Sequence, residues 1–470
     1  MIPLRLSEIA DLVDGRLDGL QNGDDALVTG PAFLDTRTPE PAGLFVAFVG
    51  ERVDGHTHAA AAVEAGAAGV LGSRPTGVPT VVVDDVQQAL QALARAVLER
   101  RRRMAGPLSV LAITGSQGKT SAKDMLAQVL ADADPTVATR GSFNNELGLP
   151  LTVLRVEEST RHLVLEMGAR GVGHLAELCA IARPDVSLVL NVGRAHLGEF
   201  GSQEQIAVAK GELVEALPDD GVAVLNADDP LVLAMASRTR ARVTTFGTGA
   251  DADVRLGEAT LDELGRPGFD LRYDGATEHV HLSLLGEHHA HNAAAVTAAA
   301  LAAGVGFADV AASLRAISAL SKWRMQLLER PDGLRVINDA YNANPDSVRA
   351  ALTTLAGIGR RTGSRTVAVL GEMRELGDAA SEEHRAVGRL VGELGIDVLV
   401  VVGPDAAEIG EAAKAWVSPL HARDVREAVD LLRETVRAPD VVLVKASRGA
   451  ALERVVEGLL APDDREDPEQ

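Results

Sequence analysis

The sequence predicts an α/β protein with three domains: a small N-terminal α/β domain, a central domain with a mainly parallel sheet, and a C-terminal Rossmann-like domain. Its 470 residues allow several domains at about 100 to 200 residues each. Short β-rich runs alternate with helix-length segments along the chain, which is typical of parallel sheets covered by helices. We place the domains at residues 1–106, 107–328 and 329–461, and expect residues 462–470 to be a disordered tail.

The first domain is predicted from short strands such as those starting at Leu44 and Thr80. Its last helix starts near Asp85, has apolar residues at helical spacing, and ends in the basic run Arg100–Arg103. Gly106 and Pro107 follow and are interpreted as a linker. The four arginines could hold phosphates, but cations in a last helical turn more often complement the helix dipole.

The second domain begins with the apolar run VLAI from Val110, followed by a glycine-rich turn and an amphipathic helix. One face of that helix is apolar, formed by Ala122, Met125, Leu126, Val129 and Leu130. Buried-strand runs follow at Leu163–Leu165, Val186–Leu190 and Val222–Leu225. Continuous apolar runs separated by helices indicate a parallel sheet with both faces covered.

The third domain begins at about Gly333 with the run LRVIND. Three more apolar runs follow after helix-length segments, starting near Thr366, Asp397 and Asp440. This order is typical of a doubly wound nucleotide-binding domain.

Composition excludes several classes of protein. Lys and Arg number 46 against 67 Asp and Glu, which gives a net charge of -21 and argues against general nucleic-acid binding. Eight Phe, two Tyr and two Trp offer few stacking surfaces for single strands. No apolar run is long enough to span a membrane, and the single cysteine, Cys179, excludes an internal disulfide. We expect a cytoplasmic monomer without nucleic-acid or membrane partners.

The strongest motif is TGSQGKT, at Thr114–Thr120, between a predicted buried strand and a helix. Glycines let backbone amides surround an anion at the helix start, Lys119 can reach the outer phosphates of a nucleotide, and the Thr120 hydroxyl can bind magnesium. The longer consensus has glycine where this chain has Ile113, so the loop is of a shorter GxxGKT kind. We interpret the central domain as a P-loop ATPase domain; the alternative is an ordinary glycine-rich turn.

Three further residues are candidates for metal chemistry. Glu166 follows a predicted strand, where it could hold magnesium or simply be a solvated strand end. His196 could be a metal ligand or a loop histidine bonded to backbone. Lys210 falls roughly 40° from Ile206 on a helical wheel, inside the apolar stripe, while Glu212 points away from it. It could serve a metal site, or cover apolar surface while its ammonium reaches water.

Asparagine-rich strings occur at three places: SFNNELGLP from Ser142, GEHHAHNAAAV from Gly286, and INDAYNANP from Ile337. Asparagines at helix starts are usually caps, so local structure explains much of these strings.

Taken together, these strings resemble the Mur ligase family of ATP-dependent amide-bond-forming enzymes, over essentially the whole chain and in the family's order. The resemblance implies a first domain that binds a UDP-sugar, a central domain that binds ATP, and a third domain that closes over both. Within the family the strings are most similar to the ligase that joins D-alanyl-D-alanine to UDP-N-acetylmuramoyl-tripeptide. The sequence leaves open whether the third residue of the tripeptide is lysine or diaminopimelate.

The resemblance also implies roles for individual residues. The catalytic residues would be Lys119, His196, Lys210 and Arg324. ATP would contact Thr114, Gly115, Ser116, Gly118, Lys119, Thr120 and Ser121, with Asn292 at the adenine, Arg324 at the phosphates and Asp339 at the ribose. Two Mg²⁺ ions would be held by Thr120, Glu166, His196 and a carbamylated Lys210. The UDP-sugar and its peptide would contact Asp35, Thr36, Arg37, Asp54, His56, Asn144 and Asn145.

These roles describe a carboxylate-amine ligase that works through an acyl phosphate. A different class stays open at this point: a P-loop protein that uses ATP to change conformation without making a bond. A phosphate loop in the second domain and a ribose-binding Asp339 in the third would require domain closure, with a hinge near Arg324–Pro331.

Overall fold

The computed structural model describes residues 1–20, 25–50, 53–193 and 202–461. Within these residues the chain forms three main sheets, each covered by helices, and a separate two-stranded antiparallel pair. The predicted α/β class is confirmed. None of the helices in these ranges is both long enough and apolar enough to cross a bilayer.

The first sheet has five strands in the order β2-β7-β6-β5-β4, with β4 to β7 parallel and β2 antiparallel, while β1 pairs with β3. The strands are β1 Leu4–Arg5, β2 Arg16–Asp18, β3 Leu27–Val28, β4 Ala32–Phe33, β5 Leu44–Val46, β6 Gly69–Gly72 and β7 Thr80–Val82. The helices are α1 Leu6–Leu12, α2 Ala59–Glu64 and α3 Val86–Arg103.

The second sheet has ten strands in the described residues; β9-β10-β8-β11-β12-β13-β14 run parallel, and an antiparallel group of β15, β16 and β17 extends it beside β14. Its strands are β8 Ser109–Thr114, β9 Thr136–Ala138, β10 His162–Glu166, β11 Val186–Val189, β12 Val222–Asn226, β13 Arg242–Gly247, β14 Val254–Leu256, β15 Thr260–Leu261, β16 Pro267–Tyr273 and β17 Ala276–His281. Its helices are α4 Lys119–Ala133, α5 Gly148–Val153, α6 His174–Ile181, α7 Gln203–Glu215, α8 Pro230–Leu233, α9 His288–Ala302 and α10 Phe307–Ala316.

The third sheet has the order β18-β19-β23-β20-β21-β22, parallel except for β18. Its strands are β18 Gln326–Glu329, β19 Arg335–Asp339, β20 Thr366–Leu370, β21 Val398–Val402, β22 Leu420–Ala422 and β23 Val441–Lys445. Its helices are α11 Pro345–Thr362, α12 Ala380–Glu393, α13 Ala407–Ala413, α14 Val425–Thr435 and α15 Glu453–Leu460. The domain boundary that we placed after residue 328 falls inside β18, which pairs with β19 and so belongs as a whole to the third sheet.

Helix α3 attaches the first domain to the second. Asp85 caps its start by accepting hydrogen bonds from the amides of Gln87 and Gln88. Its apolar face packs against α5 and α6 and joins one hydrophobic core that spans both domains. The predicted linker at Gly106 is therefore short, and the two domains share buried surface.

The basic run does lie in the last turn of α3, where cations complement the helix dipole, and two of its arginines also contact the second domain. The Arg101 side chain is fully buried and donates hydrogen bonds to the carbonyls of Gly106, Pro107 and Thr160. Arg102 makes an ion pair with Asp185, at 2.9 Å. These two arginines join the end of α3 to the second domain, because they bind the Thr160 carbonyl and the Asp185 carboxylate of that domain.

Candidate functional site

A cavity of about 800 Å³ lies between the second and third domains. The second domain contributes the phosphate loop, the end of β10 and the start of α9, while the third contributes the segment after β19, α11 and the end of β23. The carboxyl ends of parallel strands are where α/β sheets collect ligands. Residues from both sheets therefore face one space.

The phosphate loop connects β8 to α4, as the sequence predicted. Gly118 has φ 81°, and a side chain there would meet the Asn292 Oδ1 atom at 2.9 Å, so only glycine fits. Asn191 accepts hydrogen bonds at Oδ1 from the amides of Ser116 and Gln117, both at 3.0 Å. Sequence reasoning missed Asn191, whose only signal is its place directly after a buried strand.

Lys119 is the first residue of α4 and lines the cavity. Its Nζ donates to the Gly115 carbonyl at 2.6 Å, and burial lowers the pKa of its ammonium. The cavity wall also contains Ser116, Gly118, Thr120 and Ser121 from the predicted nucleotide-binding set. Thr114 and Gly115 lie behind this wall, and Thr114 is fully buried at the end of β8.

Glu166 is the last residue of β10 and is only 1% exposed, so the solvated strand end considered from the sequence is wrong. Its Oε1 accepts a hydrogen bond from Asn144 Nδ2 at 2.7 Å, while its buried Oε2 has no partner among the described residues. A buried carboxylate oxygen without a donor is suited to a cation. Thr120, also in the wall, adds a hydroxyl, and Mg²⁺ commonly takes few protein oxygens together with phosphates and water.

Within the described residues, no group of three or more His, Cys, Asp and Glu could hold a metal ion by itself.

Lys210 lies on α7, lines the cavity and is 4% exposed, which is inconsistent with an ammonium that reaches bulk water. Burial, with a smaller contribution from the nearby Lys119 charge, holds the pKa of Lys210 well below its usual range. His196, predicted to share a metal with it, lies outside the described residues.

Glu212, which the helical wheel places away from the apolar stripe of α7, is buried as well. Glu212 is 7% exposed, and its two carboxylate oxygens accept hydrogen bonds from the amides of Gly173 and Ala176, at 2.5 and 3.1 Å. These amides are at the start of α6 and would otherwise lack partners, which is why this helix start draws a buried carboxylate. The contact joins α7 to the loop after β10.

Arg324 and Asn292 line the cavity from different elements. The Arg324 guanidinium lies over the Tyr341 ring at 4.3 Å and donates to Ser142 Oγ at 3.3 Å. Asn292, on α9, is 7% exposed and its Nδ2 has no partner among the described residues. It lies one turn inside the helix, so it is not the cap that its sequence context suggested.

Asp339 is the last residue of β19 and already has two protein partners. Its Oδ2 pairs with Lys445 Nζ at 2.5 Å, and its Oδ1 accepts from the Met325 amide at 3.1 Å. Lys445, at the end of β23 and 2% exposed, was missed by sequence reasoning, although its place at a strand end was a usable signal. Both residues line the cavity.

His288 and His289 at the start of α9 also line the cavity, with ring centroids 4.2 Å apart. Burial lowers the pKa of His288 to about 4 and holds that of His289 well below its usual range. Both rings are therefore neutral near neutral pH and can accept a hydrogen bond there.

Asn144 and Asn145 lie beside the cavity in the turn before α5. Asn144 holds Glu166, as described above, and Asn145 Oδ1 accepts a hydrogen bond from the Gly148 amide at 2.9 Å. Each asparagine thus has a local structural role, and both remain part of the cavity wall.

The other predicted substrate residues lie in the first domain, away from this cavity. Asp35 pairs with Arg37 at 2.7 Å, which lowers the pKa of Asp35 to about 2, and Thr36 lies between them. Asp54 pairs with Arg74 and with His56, which is buried and accepts a hydrogen bond from the Ser73 amide at 2.9 Å. His56 therefore fixes this turn.

Two family models match the chain: the Mur ligase middle domain over residues 113–300, and the Mur ligase, glutamate ligase domain over residues 323–448. They cover the second and third domains, which supply the cavity walls.

Relatives match over nearly the full length. The UDP-N-acetylmuramoyl-tripeptide–D-alanyl-D-alanine ligase of Mycobacterium tuberculosis is 45% identical, covering 98% of this chain and 99% of its own. That of Bacillus subtilis is 36% identical with the same coverage. The crystal structure of MurF from Acinetobacter baumannii superposes with a TM-score of 0.84 at 30% identity, covering 97% of this chain and 99% of its own.

The MurF ligase of Thermotoga maritima in complex with ADP gives a TM-score of 0.77 at 30% identity, covering 92% of this chain and 97% of its own. The three-domain architecture predicted from the sequence is the one these relatives share. The chain belongs to the Mur ligase family.

Proposed function

We propose that this chain is an ATP-dependent ligase of peptidoglycan precursor synthesis, which joins D-alanyl-D-alanine to UDP-N-acetylmuramoyl-tripeptide. The observation that carries the proposal is the 45% identity over 98% of the chain with a relative of that name. The cavity supports it, because the phosphate loop and Arg324 face the same space. The ADP complex of the Thermotoga maritima relative supports the use of a nucleotide.

In the proposed reaction, the terminal carboxylate of the tripeptide attacks the γ-phosphate of ATP, giving an acyl phosphate and ADP. The amine of D-alanyl-D-alanine then attacks the acyl carbon, loses a proton, and expels phosphate to leave the amide. Phosphoryl transfer needs alignment and charge neutralisation more than covalent help. Lys119 and Arg324 are the cations that would neutralise the transferred group.

Magnesium would be held by Glu166 and Thr120, and bound there it would neutralise phosphate charge. We further propose that Lys210 is carbamylated and that, with His196, it holds a second ion. The lowered pKa of Lys210 supports this, because the neutral amine is the form that reacts with carbon dioxide. In the same proposal Asn292 contacts the adenine and Asp339 the ribose. The UDP-sugar and its peptide are contacted by Asp35, Thr36, Arg37, Asp54, His56, Asn144 and Asn145.

We also propose that the protein is a cytoplasmic monomer. Its domain boundaries would lie near residues 106 and 325. The third domain begins after residue 325 and not after residue 328, because its first strand, β18, begins at Gln326.

The test offers the purified protein ATP, Mg²⁺, D-alanyl-D-alanine and, separately, the lysine and diaminopimelate forms of the UDP-tripeptide. Mass spectrometry should detect one or both UDP-pentapeptides, and the relative rates identify the preferred third residue. Phosphate release should depend on both the tripeptide and the dipeptide. A P-loop protein that only changes conformation would release phosphate without the dipeptide and form no pentapeptide, and that result would reject the proposal.

A further inference from the structure

The segment that joins the second domain to the third runs from the end of α10 at Ala316 to the start of β18 at Gln326. Its first part is held by the second domain. Ile317 is buried in the core between α4 and α9, and Leu320 packs against the same core. The Ser321 amide donates to Asp124 Oδ2 on α4, at 2.8 Å.

The last part of the segment is held by the third domain. The Tyr341 amide donates to the Trp323 carbonyl at 3.2 Å, and the Met325 amide donates to Asp339 at 3.1 Å. Trp323 and Met325 both have positive φ, 63° and 46°, on either side of Arg324. Such angles are unfavourable for non-glycine residues and persist only where surrounding contacts impose them.

Lys322 is thus the one residue between the two sets of contacts, and it is exposed. The hinge near Arg324–Pro331 stays a prediction, and the pairing of Gln326–Glu329 in β18 favours a position at the N-terminal side of that range. The last backbone anchor before the crossing is the contact between Ser321 and Asp124, and the Arg324 side chain also reaches the second domain at Ser142 Oγ. Both contacts set the position of Arg324 relative to the phosphate loop.

Asp124 is itself held firmly. Its Oδ1 pairs with Lys123 Nζ at 2.5 Å, and Lys123 is 2% exposed. Lys123 also donates to the Thr139 carbonyl at 2.7 Å, and the Thr139 hydroxyl accepts from the Glu166 amide at 3.1 Å. A continuous set of hydrogen bonds therefore runs from the linker, through Asp124 and Lys123 on α4, to the end of β10 that carries Glu166. Helix α4 is the helix that begins at Lys119.

We propose that Asp124 is a positioning residue for Arg324: by holding the Ser321 amide, it fixes the linker three residues before the guanidinium that faces the phosphate loop. This inference rests on the proposed function for the role of Arg324 in phosphoryl transfer. Asp124 does not line the cavity, so it acts only through the linker.

The first test is kinetic. Asp124→Ala should lower kcat on the order of tenfold while the KM for ATP stays within about twofold, because displacing a charge-stabilising group mainly affects the transition state. In an Arg324→Lys background the same substitution should have little further effect, since non-additive losses identify residues that act together. Additive losses in the two backgrounds would reject a role through Arg324.

Asp124→Ala leaves the buried Lys123 without its ion-pair partner, so two further variants separate position from stability. The Lys123→Met and Asp124→Ala double variant removes both charges and should show the same kcat loss. Asp124→Asn keeps an oxygen for the Ser321 amide and should retain most of kcat, even if it melts at a lower temperature. Equal kcat losses in Asp124→Asn and Asp124→Ala would overturn the proposal.

The second test does not depend on turnover. Trypsin should cut after Lys322 several-fold faster in folded Asp124→Ala than in the unmodified protein, since the linker loses an anchor. Gln128→Ala is the matched control: Gln128 Nε2 also holds this linker, at the Ala319 carbonyl, but through an exposed contact farther from Lys322. It should leave cleavage and kcat within about twofold.

Unchanged cleavage in folded Asp124→Ala would reject the anchor whatever reaction the protein catalyses. Faster cleavage in a protein that forms no pentapeptide would instead retain the anchor and reject the proposed function.

Discussion

At the scale of single residues, the Lys119 ammonium is buried and held by the backbone of the phosphate loop. Its ammonium is held near the Gly115 carbonyl, and burial already favours the loss of its proton. An anion in the loop would offset that cost, because an opposite charge favours the protonated form. We therefore regard Lys119 as adapted to a ligand that carries several negative charges.

Lys119→Ala should abolish turnover while the fold remains intact, because the side chain neutralises charge on the transferred phosphoryl group. Such groups contribute on the order of 100-fold to 1000-fold in rate. Phosphate release checks the rate, and circular dichroism checks the fold. Lys414→Ala removes the same charge from an exposed site on the third domain and should behave like the unmodified protein; near-normal phosphate release by Lys119→Ala would contradict the ATPase assignment.

Lys210→Ala should lose most of its activity and regain part of it with acetate, which can occupy the space of the proposed carbamate. The buried position of Lys210 beside Lys119 gives an anion there a favourable partner. Adding ¹³C-bicarbonate to the unmodified protein should produce a carbamate NMR signal that is absent from Lys210→Ala. Acetate should not restore Lys119→Ala, and a fully active Lys210→Ala protein would show that the lysine only packs.

At the scale of secondary-structure elements, apolar runs predicted the buried strands β8, β10, β11 and β12 of the second sheet, but not its antiparallel strands β15 to β17. Helix α4 buries the five residues that its sequence pattern assigned to one face. Periodicity could not predict that the side chains of Glu212 and Arg101 are buried. A buried charge is stable only beside partners that folding brings from distant segments. The wheel placed Glu212 on a polar face, but that face meets the unpaired amides of α6.

Arg101 provides a prediction about the end of α3. Arg101→Met should reduce the free energy of unfolding by about 2 to 3 kcal/mol, because it leaves the buried Thr160 carbonyl without its donor and removes the hydrogen bonds to the carbonyls of Gly106 and Pro107. Chemical denaturation measures the change. Arg103→Met is the control, since its side chain is 79% exposed, and its stability should change by no more than about 0.5 kcal/mol. Equal effects in both variants would contradict the structural role of Arg101.

At the scale of the whole molecule, the sequence predicted which residues carry the phosphate loop but not how the domains meet. Lys445 pairs with Asp339 over a separation of 106 residues, and such a contact leaves no local pattern. The boundary at residue 328 was wrong by a few residues for a similar reason: β18 pairs with β19 across a turn, and its short apolar run resembles a linker. His196 stays a prediction, since it lies outside the described residues.

We expect substrates to draw the second and third domains together, because the residues proposed to bind ATP lie on both sides of the cavity. Closure also excludes water, which would hydrolyse an acyl phosphate. Small-angle scattering should show a smaller radius of gyration when a non-hydrolysable ATP analogue and the UDP-tripeptide are both bound. Identical scattering curves at saturation, established by calorimetry, would contradict closure.

Trp323, in the segment that joins the second domain to the third, is an intrinsic fluorescent probe of that segment. The Trp323 indole lies 4.5 Å from the Arg448 guanidinium, next to the residue where the chain passes from one domain to the other. The chain has only one other tryptophan, Trp416, which is exposed on the third domain. A Trp416→Phe variant would therefore emit from Trp323 alone, and any rearrangement of the crossing would change that emission. Rapid-mixing fluorescence could then time the rearrangement against each substrate without attaching a dye.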